Sequence, residues 1–248
     1  MAVRAATTTS TSSISSDEMT VRMWVIVKVG HAPPDLIART GDFEHWFARG
    51  LGVSLDRCRV VDPRRGDPLP DARECSAVVI TGSASMVTDR ADWSVRTTAW
   101  LPSLVAADVP TLGVCYGHQL LAEALGGEVA RNPRGRQMGT MRVDVRGDDP
   151  IVGRSALEVQ TTHEESVVRL PSGAELLATT ERDPHHAFRV GRAWGVQFHP
   201  EMDAEIIRYY VNRRRAALVA EGFDPEALIR EARDTPDGTD LLRRFAAT

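Results

Sequence analysis

The chain has 248 residues, 42% of them hydrophobic, and a formal net charge of −4. That length suits one substantial domain with no second catalytic module, and the mild acidity gives no field for nucleic acid or an anionic membrane. No apolar run approaches the roughly 18 residues of a transmembrane helix, and three cysteines fit a reducing cytoplasm better than a disulfide framework.

Residues 1–22 open with a Ser/Thr tract, Thr7 to Ser16, almost devoid of apolar side chains, which predicts disorder. The tract lacks the apolar core of a secretory signal, and Arg4 alone makes a weak transit peptide. A start at Met19 or Met23 would remove it. From there strands and helices alternate. Trp24 to Val29 reads as a strand, Asp42 to Leu51 as an amphipathic helix, and Arg57 to Val61 as a second strand. Ala77-Val78-Val79-Ile80 is a continuous, largely β-branched run, expected of a strand buried on both faces. A helix over Trp93 to Val105 follows, then a strand over Pro110 to Val114 and a helical pattern from Tyr116 to Leu125. This alternation predicts an α/β fold, an open and mostly parallel sheet with helices on both faces.

After Gly127 the character changes. Thr140 to Val145, Leu157 to Thr162 and Glu175 to Thr180 are short strand-like runs broken by glycine and proline, a small antiparallel portion, and Ala193 to Phe198 returns as one more strand. The tail from Asp203 is helical, with Ile206, Ile207, Tyr210 and Val211 in one apolar stripe. The run Arg213-Arg214-Arg215 reads as a solvated face or a favourable helix C-terminus. Another helix is expected over Phe223 to Arg233, and Leu241, Leu242 and Phe245 either cover the domain or meet a partner. The organisation expected is therefore a domain over 23–212 and a helical extension over 213–248.

Two motifs carry chemistry. Cys115 lies in Gly113-Val114-Cys115-Tyr116-Gly117, between an apolar strand and a helix, which is a nucleophile elbow with sulfur in place of oxygen. The flanking glycines give a crowded turn room, and the following helix points its positive end at the sulfur, an arrangement that favours thiolate. The second motif, Gly195-Val196-Gln197-Phe198-His199-Pro200-Glu201, places His199 just past a strand whose Trp194, Val196 and Phe198 share a face. Pro200 fixes the backbone so that Glu201 returns within reach of the imidazole. A Cys115–His199–Glu201 triad is the reading. Oxyanion donors are expected from the backbone N–H of Tyr116 and of Gly82 or Ser83, at the end of the neighbouring strand.

The remaining candidates have plainer readings. Cys58 and Cys75 lack glycine punctuation and are expected as small buried hydrophobes. His118, three residues beyond the nucleophile on a helix, projects away from the reaction centre and reads as structural. His185 and His186 follow Asp183-Pro184 in a turn, where histidines are commonly exposed. No Cys or His pair has zinc spacing and no Gly-rich loop has the P-loop form, so neither metal nor cofactor is expected.

Both motifs resemble those of the triad, or class I, glutamine amidotransferases, especially stand-alone members similar to the amidotransferase domain of GMP synthetase. Further matches stand in the family's order: Gly41-Asp42-Phe43-Glu44, Ile80-Thr81-Gly82-Ser83, Gly126-Gly127, Gly135 to Thr140 and Thr162 to Val167. The resemblance spans Trp24 to about Tyr210 and implies a flavodoxin-like fold. It also implies that Gln119 hydrogen-bonds the amino-acid end of glutamine and that Thr162, His163, Glu164 and Glu165 border the glutamine pocket. Three departures stand out: Gly82-Ser83 replaces a pair of glycines before proline, Glu164 replaces a glycine, and Gln137 stands where a glutamate is common.

The activity implied is attack on a γ-glutamyl amide such as L-glutamine through a γ-glutamyl thioester. The ammonia would pass to a separate synthetase, since no P-loop, adenylation segment or barrel follows. Two alternatives stay open: a stand-alone γ-glutamyl peptidase or hydrolase, and a catalytically idle binding or regulatory protein on the same fold.

Overall fold

The computed structural model describes residues 22–248, and the Ser/Thr tract lies outside the described residues. The strands in chain order are β1 (Met23–Val27), β2 (Cys58–Val61), β3 (Cys75–Ile80), β4 (Thr111–Val114), β5 (Glu128–Arg131), β6 (Gln137–Val145), β7 (Leu157–His163), β8 (Glu165–Arg169), β9 (Glu175–Thr179), β10 (Ala187–Val190) and β11 (Ala193–Val196). The helices are α1 (Pro34–Thr40), α2 (Phe43–Leu51), α3 (Asp92–Ala106), α4 (Tyr116–Ala124), α5 (Ala204–Arg213), α6 (Arg215–Ala220), α7 (Pro225–Glu231) and α8 (Pro236–Ala246).

Nine strands form one sheet in the order β2-β1-β3-β4-β11-β10-β9-β6-β7, and β5 pairs with β8 in a separate ribbon. The five strands from β2 to β11 are mutually parallel, and the four beyond β11 run antiparallel. The expected mostly parallel sheet with an antiparallel portion is what forms.

Alternation along the parallel strands sends successive side chains to opposite faces. Ile26, Val79, Leu112, Trp194 and Val196 pack with Phe47 and Leu51 of α2 and with Leu241, Leu242 and Phe245 of α8. Val25, Val27, Val78 and Ile80 pack on the other face with Leu101 and Leu104 of α3 and Leu120 and Leu121 of α4. The apolar stripe of α5 joins Leu36 and Trp46 in a third cluster. The C-terminal segment thus covers the sheet: Leu241, Leu242 and Phe245 are fully buried.

Several elements differ from the sequence expectation. The helix α1 begins at Pro34, whose fixed φ suits the first helical position, and it lies in a stretch to which the sequence reading gives no element. The short strands β5, β8 and β10 each owe their form to a distant partner and carry little alternation of their own. The parallel strands β3, β4 and β11 are adjacent, with Ile80 opposite Gly113 and Val114 opposite Val196, so their carboxyl ends open on one crevice.

Candidate active site

Cys115 follows the last residue of β4 with φ 52° and ψ −101°, a conformation costly for a non-glycine residue, and serves as the N-cap position of α4. The neighbouring glycines explain how this turn is held. A β-carbon on Gly113 would lie 2.4 Å from the Gly117 carbonyl oxygen, and one on Gly117 would lie 2.5 Å from that of Ile80. Without side chains there, the first turn of α4 sits directly on the ends of β3 and β4. The Cys115 amide donates to the Val196 carbonyl at 2.8 Å, fixing the elbow to β11.

His199 reaches the same place from β11. Its amide donates to the Gln160 carbonyl of β7 at 2.8 Å, and its Nδ1 lies 2.7 Å from Glu201 Oε1 with both side chains nearly fully buried. Burial alone would lower the imidazole pKa. The Glu201 carboxylate, and the Cys115 sulfur when ionised, outweigh it and hold His199 up to about 10. Its Nε2 is buried with no hydrogen-bond partner among the described residues. Gly82 separates the two groups: a β-carbon there would stand 3.0 Å from His199 Cε1 and 3.6 Å from Cys115 Cβ. The backbone amides of Gly82, Ser83 and Tyr116 donate to no protein group among the described residues.

Two clefts meet here. The wider, about 250 Å³, is bounded by His199, Gly82, Phe43, Tyr210 and Arg214. The narrower, about 60 Å³, is bounded by Cys115, Tyr116, Gln119, the segment Thr162 to Glu165, and Arg214. The residues implied by resemblance therefore gather in the narrower cleft, but they differ in what they touch. Gln119 is nearly buried and its amide nitrogen donates to the Glu165 carbonyl at 2.8 Å and to Gln197 Oε1 at 3.0 Å. The Glu165 carboxylate accepts from the Val87 amide at 2.8 Å and from the Thr88 hydroxyl, tying its loop to the turn after β3. Glu164 is drawn aside by Arg136, 2.6 Å away, which also pairs with Glu221.

Sequence reasoning placed His186 wrongly. His186 is fully buried, not exposed in a turn: its ring stacks on Phe198 at 5.8 Å, and its Nε2 meets Gln137 Oε1 at 3.0 Å. The Asp183-Pro184 signal described the turn correctly, but His186 closes it directly before β10, where the Gln197 amide donates to its carbonyl at 2.8 Å and the ring is turned into the core. Of the two readings of the three-arginine run, Arg214 takes the helix C-terminus, as the C-cap of α5, and it stands half-buried at the junction of the two clefts. Nothing in a three-arginine run singles out its middle member.

Behind the cleft lies a buried polar layer. His163, Asp183 and His186 bring ligand-type atoms within 4.8 Å of one another. The Gln137 Oε1 bridges the two rings, 3.2 Å from His163 Nε2 and 3.0 Å from His186 Nε2, and the Ser166 hydroxyl donates to Asp183 at 2.7 Å, while His186 Nδ1 is buried with no hydrogen-bond partner among the described residues. Desolvation lowers the pKa of both rings, and it pushes the wholly buried His118 down to about 3. His118 packs on Phe188 with a 5.1 Å centroid distance and takes the structural place expected of it.

Fold and site together define an open, flavodoxin-like α/β protein with a cysteine on a strand-to-helix elbow beside a histidine–carboxylate pair. The chain belongs to the class-I glutamine amidotransferase family, whose model matches residues 45–210. It is 36% identical over 166 residues to a glutamine-hydrolysing GMP synthase of Aeropyrum pernix, covering 65% of this chain and 31% of that protein. It is also 29% identical over 171 residues to gamma-glutamyl peptidase 3 of Arabidopsis thaliana, covering 65% and 68%. The chain thus spans about a third of the synthase's length. A glutamine amidotransferase structure from Thermotoga maritima shares the fold with a TM-score of 0.70 at 24% identity, covering 91% of this chain and 96% of that one. In the described residues, no helix is long and apolar enough to cross a membrane.

Proposed function

We propose that the protein is a cysteine-dependent hydrolase of γ-glutamyl amides, with Cys115 as nucleophile, His199 as general acid and base, and Glu201 as the group that orients and charges His199. The observation that carries this reading is the strained Cys115 elbow lying beside a His199–Glu201 pair on the neighbouring strand. The Cys115 thiolate attacks the γ-carbonyl carbon, forming a C–S bond while negative charge gathers on the carbonyl oxygen. The unengaged amides of Tyr116, Gly82 and Ser83 are the donors for that charge. As the C–N bond breaks, the His199 imidazolium gives its proton to the leaving nitrogen. Water then attacks the thioester, its proton passes to His199, and glutamate departs as the thiolate is restored.

In this reading Gln119, with both amide hydrogens engaged, offers substrate only its carbonyl oxygen, and the Glu165 carboxylate braces the pocket. Thr162 and Glu164 face the glutamyl group, and His163 supports them from behind. No resident cofactor or metal takes part. The setting is a reducing cytoplasm, where Cys115 keeps its thiol, and L-glutamine is the reference substrate. A separate synthetase would consume any ammonia released, as the name of the GMP synthase relatives suggests.

The test is release of ammonia or amine by the purified protein from glutamine and a panel of γ-glutamyl compounds, with Cys115→Ala as control. Turnover lost in Cys115→Ala is the expected result; turnover retained in that variant sinks the mechanism. Silence of the wild-type protein on the whole panel, with Cys115 no more reactive to iodoacetamide than Cys58, would return the idle-fold alternative.

A further inference from the structure

Arg214 is the C-cap of α5, its amide donating to the Tyr210 carbonyl at 3.0 Å. The guanidinium carbon lies 5.1 Å from the centre of the Tyr210 ring, a cation–π arrangement. The other buried or half-buried arginines nearby are matched by carboxylates: Arg136 has Glu164 and Glu221, and Arg215 has Glu226. Arg214 has none within 4.0 Å among the described residues, and its Nη1 is buried with no hydrogen-bond partner. A guanidinium does not shed its charge to escape burial, and the Tyr210 ring covers one face of this one but supplies no acceptor for Nη1, so an arriving anion would complete it.

Position says which anion. Arg214 borders both clefts, but the wider one also contains His199, and the leaving nitrogen departs on the side of the group that protonates it. A cleft of about 250 Å³ is far larger than ammonia requires. Its walls include Pro33, Phe43 and Met202, which suit an apolar side chain, with Arg213 at its exposed rim. The narrower cleft is lined by Glu164, which is paired with Arg136, and by Glu165, whose carboxylate is held by Val87 and Thr88, so the charge of Arg136 on that side is already matched.

We infer that Arg214 binds the carboxylate of the leaving amine, so that the preferred substrate is a γ-glutamyl-amino acid whose second residue carries a free α-carboxylate and an apolar side chain. This rests on the hydrolase reading for the side from which the amine leaves. A bidentate pair between guanidinium and carboxylate supplies both attraction and orientation. Arg214 here is a specificity residue and takes no proton.

Binding to Cys115→Ala tests this without turnover. L-γ-glutamyl-L-leucine and its C-terminal carboxamide differ only in the group Arg214 would meet, and calorimetry should find the free acid bound at least about tenfold more tightly, the scale of a charge-assisted hydrogen bond. Adding Arg214→Gln should bring the ratio close to one, with Arg214→Lys intermediate and a thermal melt reporting whether each variant is folded. Equal affinities in Cys115→Ala, no binding of either compound, or a ratio that survives Arg214→Gln would each overturn the inference. So would an equal loss of L-glutamine affinity on Arg214→Gln, which would assign Arg214 to the glutamyl carboxylate. Failure of the hydrolase reading looks different: the acid is preferred in binding, yet wild-type protein releases no leucine. Because the comparison of acid with carboxamide needs no Arg214 variant, misfolding of those variants leaves it standing.

Discussion

Gly117→Ala should damage the site far more than the fold. The new β-carbon would stand 2.5 Å from the Ile80 carbonyl oxygen and 2.9 Å from Ile80 Cβ, and both belong to the central strand β3, which has no room to yield. Restoring an ordinary contact of 3.4 Å requires the start of α4 to retreat by 3.4 − 2.5 = 0.9 Å. Overpacking of this kind costs about 1–3 kcal/mol, or roughly 3–10 °C in Tm for a chain of this size. Cys115 is two residues away on the same turn, and a misplacement near 1 Å lowers an oriented reaction on the order of 100-fold. The assay is the alkylation rate of Cys115 by iodoacetamide at pH 7, followed by peptide mass, alongside amine release and a melt. Gly50→Ala is the comparison, because its nearest neighbour, at 2.4 Å, is the end of the flexible Leu242 side chain, far from the elbow. Normal alkylation and turnover in Gly117→Ala would refute the claim that this glycine lets the helix seat the sulfur.

Glu201→Gln should lower kcat by roughly 10³–10⁴-fold with little change in KM, since an orienting carboxylate acts on the transition state; a loss confined to KM would count against its role beside His199. Stability should fall as pH drops below about 6.5, because His118, His163 and His186 are held neutral by burial and gain protons readily only when unfolded. Each contributes about 1.4 kcal/mol per pH unit in that window, and urea melts at pH 6.5, 5.5 and 4.5 should show it; a flat profile would mean the rings are charged in the fold. His199 has the opposite sign: its raised pKa stabilises fully below 6.5, and the gain is lost as pH rises toward about 10, so the Tm gap between wild type and His199→Gln should narrow over that range. Phe245→Ala should cost about 3–5 kcal/mol by opening a cavity under β1 and β11, because Phe245 is fully buried against Trp24 and Trp194. A change under 1 kcal/mol would make the final helix a surface ornament.

The sequence yields most where local chemistry and fold agree. The β-branched run before Thr81, the glycines around Cys115, and the short distance from His199 to Glu201 are each dictated by neighbours in the chain, and each appears where expected. Elements that depend on remote partners are harder to read. The strand β8 exists because Val129 and Ala130 lie beside Val167 and Ser166, and His186 is buried because β10 completes a sheet with β9 and β11. Arg214 escapes detection for a related reason: an arginine at a helix end is ordinary until Tyr210, Thr162 and His199 are seen around it. The Gln119 amide likewise reads as a ligand contact, yet its nitrogen is engaged by Glu165 and Gln197, which sequence spacing cannot bring together.

The bond from the His199 amide to Gln160 places this imidazole, the base of the proposed reaction, on a clock set elsewhere. Gln160 is completely buried; its side chain accepts from Thr140 at 2.9 Å and donates at 2.7 Å to the carbonyl of Arg233, on the segment joining α7 to α8. The lifetime of the imidazole's position is therefore the lifetime of an edge strand clasped by the chain's last helices, and hydrogen exchange at His199 should slow or quicken with β7 rather than with β4. In this molecule Cys115 keeps time with the centre of the sheet and His199 with its rim.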